Sequence, residues 1–263
     1  MARKARWVST SFHKGVQAFR LSSWKYFSDF ISQQLLNFPN YIFRGHADST
    51  WQLKPTLDRI ITSPISTRRE QHLERFKYET RGRRGANPPL MENENDWWAL
   101  GQHHGLATPL LDWTESPFVA LYFAVSGALK ENSKNLTVFV CSQDSILERN
   151  SIIESSEAVL LVNGQKPTVK IVRPLSDENS RLVSQRGLFT RGPNNIDLET
   201  WFRTHSTESS EKYMELIRLD IPNKDLQNCL TYLNRMNISH STLFPDLQGA
   251  SEHCNNYLRV ERY

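Results

Sequence analysis

The chain is poor in cysteine. Only Cys141, Cys229 and Cys254 occur among its 263 residues. They are odd in number and far apart, which argues against a disulfide framework and a zinc knuckle and suits a reducing cytoplasm. No apolar run approaches the roughly 20 residues of a bilayer crossing. The start, Met1 to Gly15, is basic with no apolar stretch behind it, so no secretory signal is read there; it reads as a loose arm or a strand that docks late. The 11 glycines and 12 prolines are too few for a collagenous or low-complexity chain. Charge is nearly balanced: 32 basic and 28 acidic residues leave +4. That permits an anionic ligand but lacks the dense basic face of a dedicated duplex-DNA binder. Also missing are a G-x-x-x-x-G-K-S/T phosphate loop, a G-x-G-x-x-G after a strand, a G-x-S-x-G elbow and an H-E-x-x-H pair, so several enzyme classes fall out.

Aromatics are abundant, at 11% with seven tryptophans, beside 38% hydrophobic residues. Such rings need a packed interior or a binding surface. Apolar spacing predicts helices over Gln17–Phe38, Ser66–Arg84, Asn95–His104, Thr114–Ala128, Leu226–Met236 and Asp246–Tyr257. Strands are predicted over Tyr41–Gly45, Thr108–Trp113, Leu136–Cys141, Thr168–Val172, Arg181–Arg191 and Tyr213–Ile221. Ser145–Glu157 reads as a surface excursion. Helices thus crowd the first half and strands the second. The expected fold is α+β: an N-terminal arm (1–19), then one domain (20–263) with a helical layer packed on a mixed, mainly antiparallel sheet.

Four groups of residues carry possible chemistry. Arg44 follows three apolar strand residues and precedes Gly45. A guanidinium there needs an anion, either a pyrophosphate or carboxylate ligand or a structural acid, and the glycine admits close approach of ligand or backbone. His103 and His104 are adjacent, so they point apart and do not share a metal; no metal site is predicted. A single imidazole, taken as His104, can bond a phosphate or ribose, or merely end a helix. Asp112 and Thr114 flank Trp113 just before a helix; one can cap that helix while the other faces a cleft. Gln185 sits among apolar residues two before Gly187, where a ligand can approach. The short clusters Arg3–Arg6 and Arg81–Arg84 could touch nucleic acid or simply be solvated.

Several of these segments together resemble the FRG domain family: Tyr41-Ile-Phe-Arg-Gly45, His103-His-Gly-Leu-Ala-Thr-Pro-Leu-Leu-Asp-Trp-Thr114 with the apolar Ser116–Ala124 behind it, Ser184-Gln-Arg-Gly-Leu-Phe189, and Thr242-Leu-Phe-Pro-Asp-Leu-Gln-Gly249. The resemblance implies an ADP-ribosyltransferase-like layout, in which NAD is a consumed substrate rather than a redox cofactor. It implies Arg44, Thr114 and Gln185 as the catalytic set, and Arg44, Gly45, His104, Asp112, Trp113 and Phe189 as nucleotide-binding residues, with Trp113 or Phe189 as a wall for nicotinamide. Where transferases carry a glutamate on a later strand this chain has Gln185, which keeps hydrogen bonding and gives up the negative charge. The activity implied is cleavage of the nicotinamide–ribose bond with transfer to a protein or nucleic-acid acceptor. By analogy the setting would be a bacterial toxin or phage-defence protein, with a neutralising partner. The alternatives are a non-catalytic nucleotide- or nucleic-acid-binding module, or a purely structural polar network.

Overall fold

A computed structural model describes residues 5–174, 180–261 and 263. The strands are β1 (Trp7–His13), β2 (Val16–Leu21), β3 (Tyr41–His46), β4 (Leu110–Thr114), β5 (Asn135–Ser142), β6 (Lys170–Val172), β7 (Gly187–Arg191) and β8 (Leu216–Pro222). The helices are α1 (Phe27–Phe30), α2 (Thr56–Ile60), α3 (Arg68–Glu79), α4 (Glu94–His103), α5 (Pro117–Glu131), α6 (Gln143–Ser155), α7 (Ser180–Gln185), α8 (Leu198–Thr204), α9 (Leu226–Arg235), α10 (His240–Leu243) and α11 (Leu247–Arg259). All eight strands form one sheet in the order β1-β2-β8-β5-β3-β4-β7-β6. Only β2 against β8 is parallel, so the sheet is mixed and mainly antiparallel.

The separation of early helices from late strands does not hold. Of the two readings of the polar start, the strand is the one that forms: β1 pairs with β2 as an edge hairpin. Phe19 and Leu21, read as helical, lie two apart on β2, and helical turns begin only at Trp24. The helices cover both faces of the sheet. On one face α5 and α9 bury Val119, Leu121, Val125 and Leu230 against Val138, Val140, Ile217 and Leu219. On the other, Ile146 and Ile153 of α6 and Trp201 and Phe202 of α8 pack with Ile42, Trp113 and Phe139. The early helices α2 to α4 cover only the β4–β7–β6 end, through Leu57, Leu73 and Trp98 on Leu110 and Phe189. An N-terminal helical layer is therefore not what the chain builds.

The supposed surface excursion at Ser145–Glu157 is mostly α6. Its Arg149 is fully buried and held by Glu215 through Nη1 at 2.8 Å and again through Nη2. A buried pair of this kind hides a core helix behind a polar sequence.

The tightest junction is β3 on α5. Ser116 caps α5 through its hydroxyl and Pro117 opens the first turn, the place that tolerates proline. The helix then crosses Gly45 so closely that a Cβ there would lie 2.0 Å from the Ala120 carbonyl oxygen and 2.7 Å from the Ala124 nitrogen. Helix backbone, more than ligand, is what this glycine admits. Gly45→Ala is expected to destabilise the fold by about 3 kcal/mol or more, read as a lower urea midpoint; an unchanged midpoint would contradict this packing.

Candidate functional site

β3 and β4 bond at a single register position, Phe43 opposite Thr114, and part beyond it. Arg44 fills the parting. It leaves β3 on the same face as Ile42 and His46, and its Nη1 donates to the Asp112 backbone oxygen at 2.7 Å and to Asp112 Oδ2 at 3.2 Å. Its Nε donates to His46 Nε2 at 2.9 Å. That bond makes His46 Nε2 an acceptor, so the imidazole carries its proton on Nδ1, which faces the Trp51 carbonyl at 3.3 Å. His46 is buried, and burial together with the neighbouring Arg44 cation pushes its pKa down to about 3. It is neutral across the ordinary pH range. Nη2 of Arg44 has no protein partner among the described residues.

The clamp extends through Asp112. Its Oδ1 accepts from Gln102 Nε2 at 2.7 Å, and Thr108 donates to the Gln102 oxygen. Gln102 lies in the last turn of α4, whose other end is set by an Asn93–Asp96 capping box.

Around this clamp lies a cavity of about 320 Å³. Arg44, Gly45, Asp112, Thr114, Gln185 and Phe189 all line it. The guanidinium, hydroxyl and amide expected from three remote stretches therefore share one hollow. Their states differ from expectation. The Thr114 hydroxyl does not cap α5; it donates to the Gln185 backbone oxygen at 2.6 Å and accepts from Ser116 N at 3.0 Å. Gln185 is not on a strand. It ends α7, and its Nε2 donates to the Leu243 carbonyl at 3.0 Å, leaving Oε1 unpartnered among the described residues. Asp112 is the sole carboxylate among the lining residues.

One expected binding residue is displaced, and another has its ring turned into the core. His104 is exposed at the C-terminus of α4 and does not line the cavity; its neighbour His103 does. Trp113 does line the cavity, as expected, while its indole packs in the core and donates to Thr190 Oγ1 at 2.8 Å. Strand alternation decides this, since Asp112 and Thr114 face one way and Trp113 the other. Phe189, opposite Asp112 in the register, stays on the cavity side.

Sequence reasoning missed Arg181, Phe123 and Phe244 as lining residues. Arg181 lies four before Gln185 on α7, the spacing that puts both on one helix face. It grips Asp246 Oδ2 through Nε at 3.0 Å and Nη2 at 2.5 Å and sits 5.0 Å from the Phe244 ring centroid. Asp246 also caps α11 by accepting from Gly249 N. That bond first, and Arg181 second, hold its carboxyl below the usual range. A Cβ on Gly249 would strike the Phe244 carbonyl oxygen at 1.9 Å, which accounts for the late Phe-Pro-Asp-Leu-Gln-Gly pattern.

Residues 39–133 match the FRG domain. The chain carries an FRG domain. The match spans β3 to α5, so Arg44, Gln102, Asp112 and Thr114 fall inside it, while α7 and β7, with Gln185 and Phe189, lie beyond its end. No curated protein and no solved structure matches the chain. No helix is long and apolar enough to cross a membrane, and no group of three or more His, Cys, Asp or Glu side chains suited to a metal occurs among the described residues.

The neutral His46 gives the FRG domain a pH dependence. Its folded pKa of about 3 lies below the unfolded value of 6.5. The unfolded chain therefore binds the extra proton as pH falls. The contribution is fully present above about pH 6.5 and is lost progressively toward pH 3. His46→Gln, which can still accept from Arg44 and donate to Trp51, should flatten the decline in unfolding free energy between pH 6 and pH 5 by about 1 kcal/mol. Identical slopes in urea titrations of the two proteins would contradict a buried neutral imidazole.

Proposed function

We propose that the cavity is the NAD site of an ADP-ribosyltransferase-like enzyme that consumes NAD and modifies a macromolecular acceptor in the cytoplasm. The observation that carries the reading is the free Nη2 edge of Arg44. The guanidinium is fixed by His46 and Asp112 before any ligand arrives and still has donors to offer to a diphosphate. A preorganised cation costs no reordering on binding. Phe189, Phe123 and Phe244 supply apolar ring surface, and the polar groups are few and placed, as small-molecule sites require. At about 320 Å³ the enclosed space suits one nucleoside with its phosphate; the rest of the dinucleotide would lie along the open mouth.

In this reading the C1′–N bond of nicotinamide riboside breaks, its electron pair leaves with nicotinamide, and an oxocarbenium-like ribose remains. The acceptor nucleophile attacks C1′ and gives up its proton to solvent at the open mouth. Asp112 is the lining carboxylate available to offset the positive ribose. Gln185 Oε1 accepts from a ribose hydroxyl, and Thr114 acts through Gln185 by holding the end of α7. The cations at the cavity, Arg44 and Arg181, each already face an aspartate, so an anionic ligand meets screened rather than bare charge.

The competing reading is a binding module without turnover, favoured by the lack of any glutamate among the lining residues. One experiment separates them. NAD should raise the melting temperature of the wild type, and nicotinamide should be released in the presence of protein, RNA or DNA acceptors. Arg44→Lys, which loses the fork geometry, should abolish the shift, and Asp112→Asn should cut nicotinamide release by 10²-fold or more, the order seen on removing one electrostatic group. Binding without release supports the module; no shift with NAD at all contradicts both.

A further inference from the structure

A second cavity, of about 370 Å³, opens beside the first. Trp98 lines it one helical turn before Gln102 on α4, and Arg191 lines it two residues after Phe189 on β7. Phe189 of the first lining and Arg191 of the second thus lie about 7 Å apart along one strand. The outer wall is the Val162–Gln165 turn, whose Asn163 and Gly164 both take positive φ, the pairing that tight hairpins use.

Its lining is rich in donors. Arg69, Lys166, Lys170 and Arg191 contribute four cations against the carboxylates of Glu70 and Glu94. Arg191 is paired with Glu94 at 2.6 Å. Lys170 is exposed and has no ion pair among the described residues, and the Lys166 ammonium is bonded only to the Glu154 backbone oxygen. Two buried N–H groups on lining residues have no protein acceptor: Trp98 Nε1 and Arg69 Nε. Arg69 cannot turn to satisfy its own, because Asp58 at 2.7 Å, the Ile61 oxygen at 3.0 Å and Asn195 Oδ1 at 2.7 Å hold the other nitrogens. Buried donors left without acceptors are costly and rare. The unpaired Lys170 ammonium and the Lys166 ammonium, bonded only to a backbone oxygen, give the hollow positive charge suited to a compact anion with several acceptor oxygens.

We propose that this second cavity binds the phosphate group of a ligand, supplied by a free nucleotide or by the backbone of a single nucleic-acid strand. The proposal does not rest on the reading of the first cavity. The test uses the full chain with three probes: inorganic pyrophosphate, adenosine monophosphate and a fluorescent single-stranded ten-nucleotide DNA, titrated by calorimetry or anisotropy. Lys170→Glu should weaken binding at least tenfold, while Lys224→Glu, the same charge change outside the cavity, should alter it less than twofold. Lys166→Glu should also weaken binding, and Arg44→Lys should not. A free phosphate ligand is indicated if pyrophosphate or the mononucleotide displaces the oligonucleotide completely. A strand is indicated if the oligonucleotide binds more tightly, with log affinity falling with log salt by about 0.7 per phosphate engaged. Equal loss in Lys170→Glu and Lys224→Glu, or no binding of any probe below about 1 mM, overturns the proposal.

Discussion

The arrangement depends on one guanidinium held across a parting in a sheet. Where β3 and β4 cease to pair, backbone groups lose their ladder partners, and the Asp112 carbonyl accepts from Arg44 instead. An arginine in that place would be a liability if nothing matched its charge. Asp112 Oδ2 supplies an anion, and a neutral imidazole supplies an acceptor without competing positive charge. The neutrality of His46 is therefore part of the design. A protonated ring would present an N–H to an N–H and expel the guanidinium.

The surrounding fold serves to hold that pair in register. Gly45 lets α5 press onto β3 at the residue after Arg44, so the strand cannot slide without colliding with helix backbone. Gln102 ties the far side of Asp112 to α4, and Thr114 ties the next β4 residue to α7. Three helices and two neighbouring strands thus meet at a single ion pair. The FRG match covers the elements that build this clamp, while the wall formed by Gln185, Phe189 and Arg181 comes from later in the chain.

Much of this was legible in the sequence. The Arg44–Gly45 junction, the strand at Leu136–Cys141 and the apolar helix after Pro117 follow from apolar runs, glycine and proline in their usual places. The site's membership was partly legible, because Arg44, Asp112, Thr114 and Gln185 do converge. What could not be read was side-chain direction over short distances. His104 stands beside a lining residue, and Trp113 lines the cavity with its indole bonded in the core; a shift of one position reverses the face of a strand or the side of a helix end. Gln185 was misplaced because Leu182 and Val183 give α7 the apolar look of a strand, and six residues are too few for periodicity to decide. The edge hairpin was half legible, because β1 is polar and exposed along most of its length and Phe19 and Leu21 of β2 continue into a helical spacing. The buried Arg149 escaped because its partner, Glu215, lies on a remote strand.

The most direct measurement is a crystal structure of the protein with ADP-ribose bound. The account predicts a diphosphate oxygen within hydrogen-bond distance of Arg44 Nη2, with the bonds from Arg44 to His46 and Asp112 still in place. A diphosphate bound elsewhere on the chain, or an Arg44 side chain that abandons His46 to reach it, would contradict the claim that this guanidinium is prepared in advance for a nucleotide.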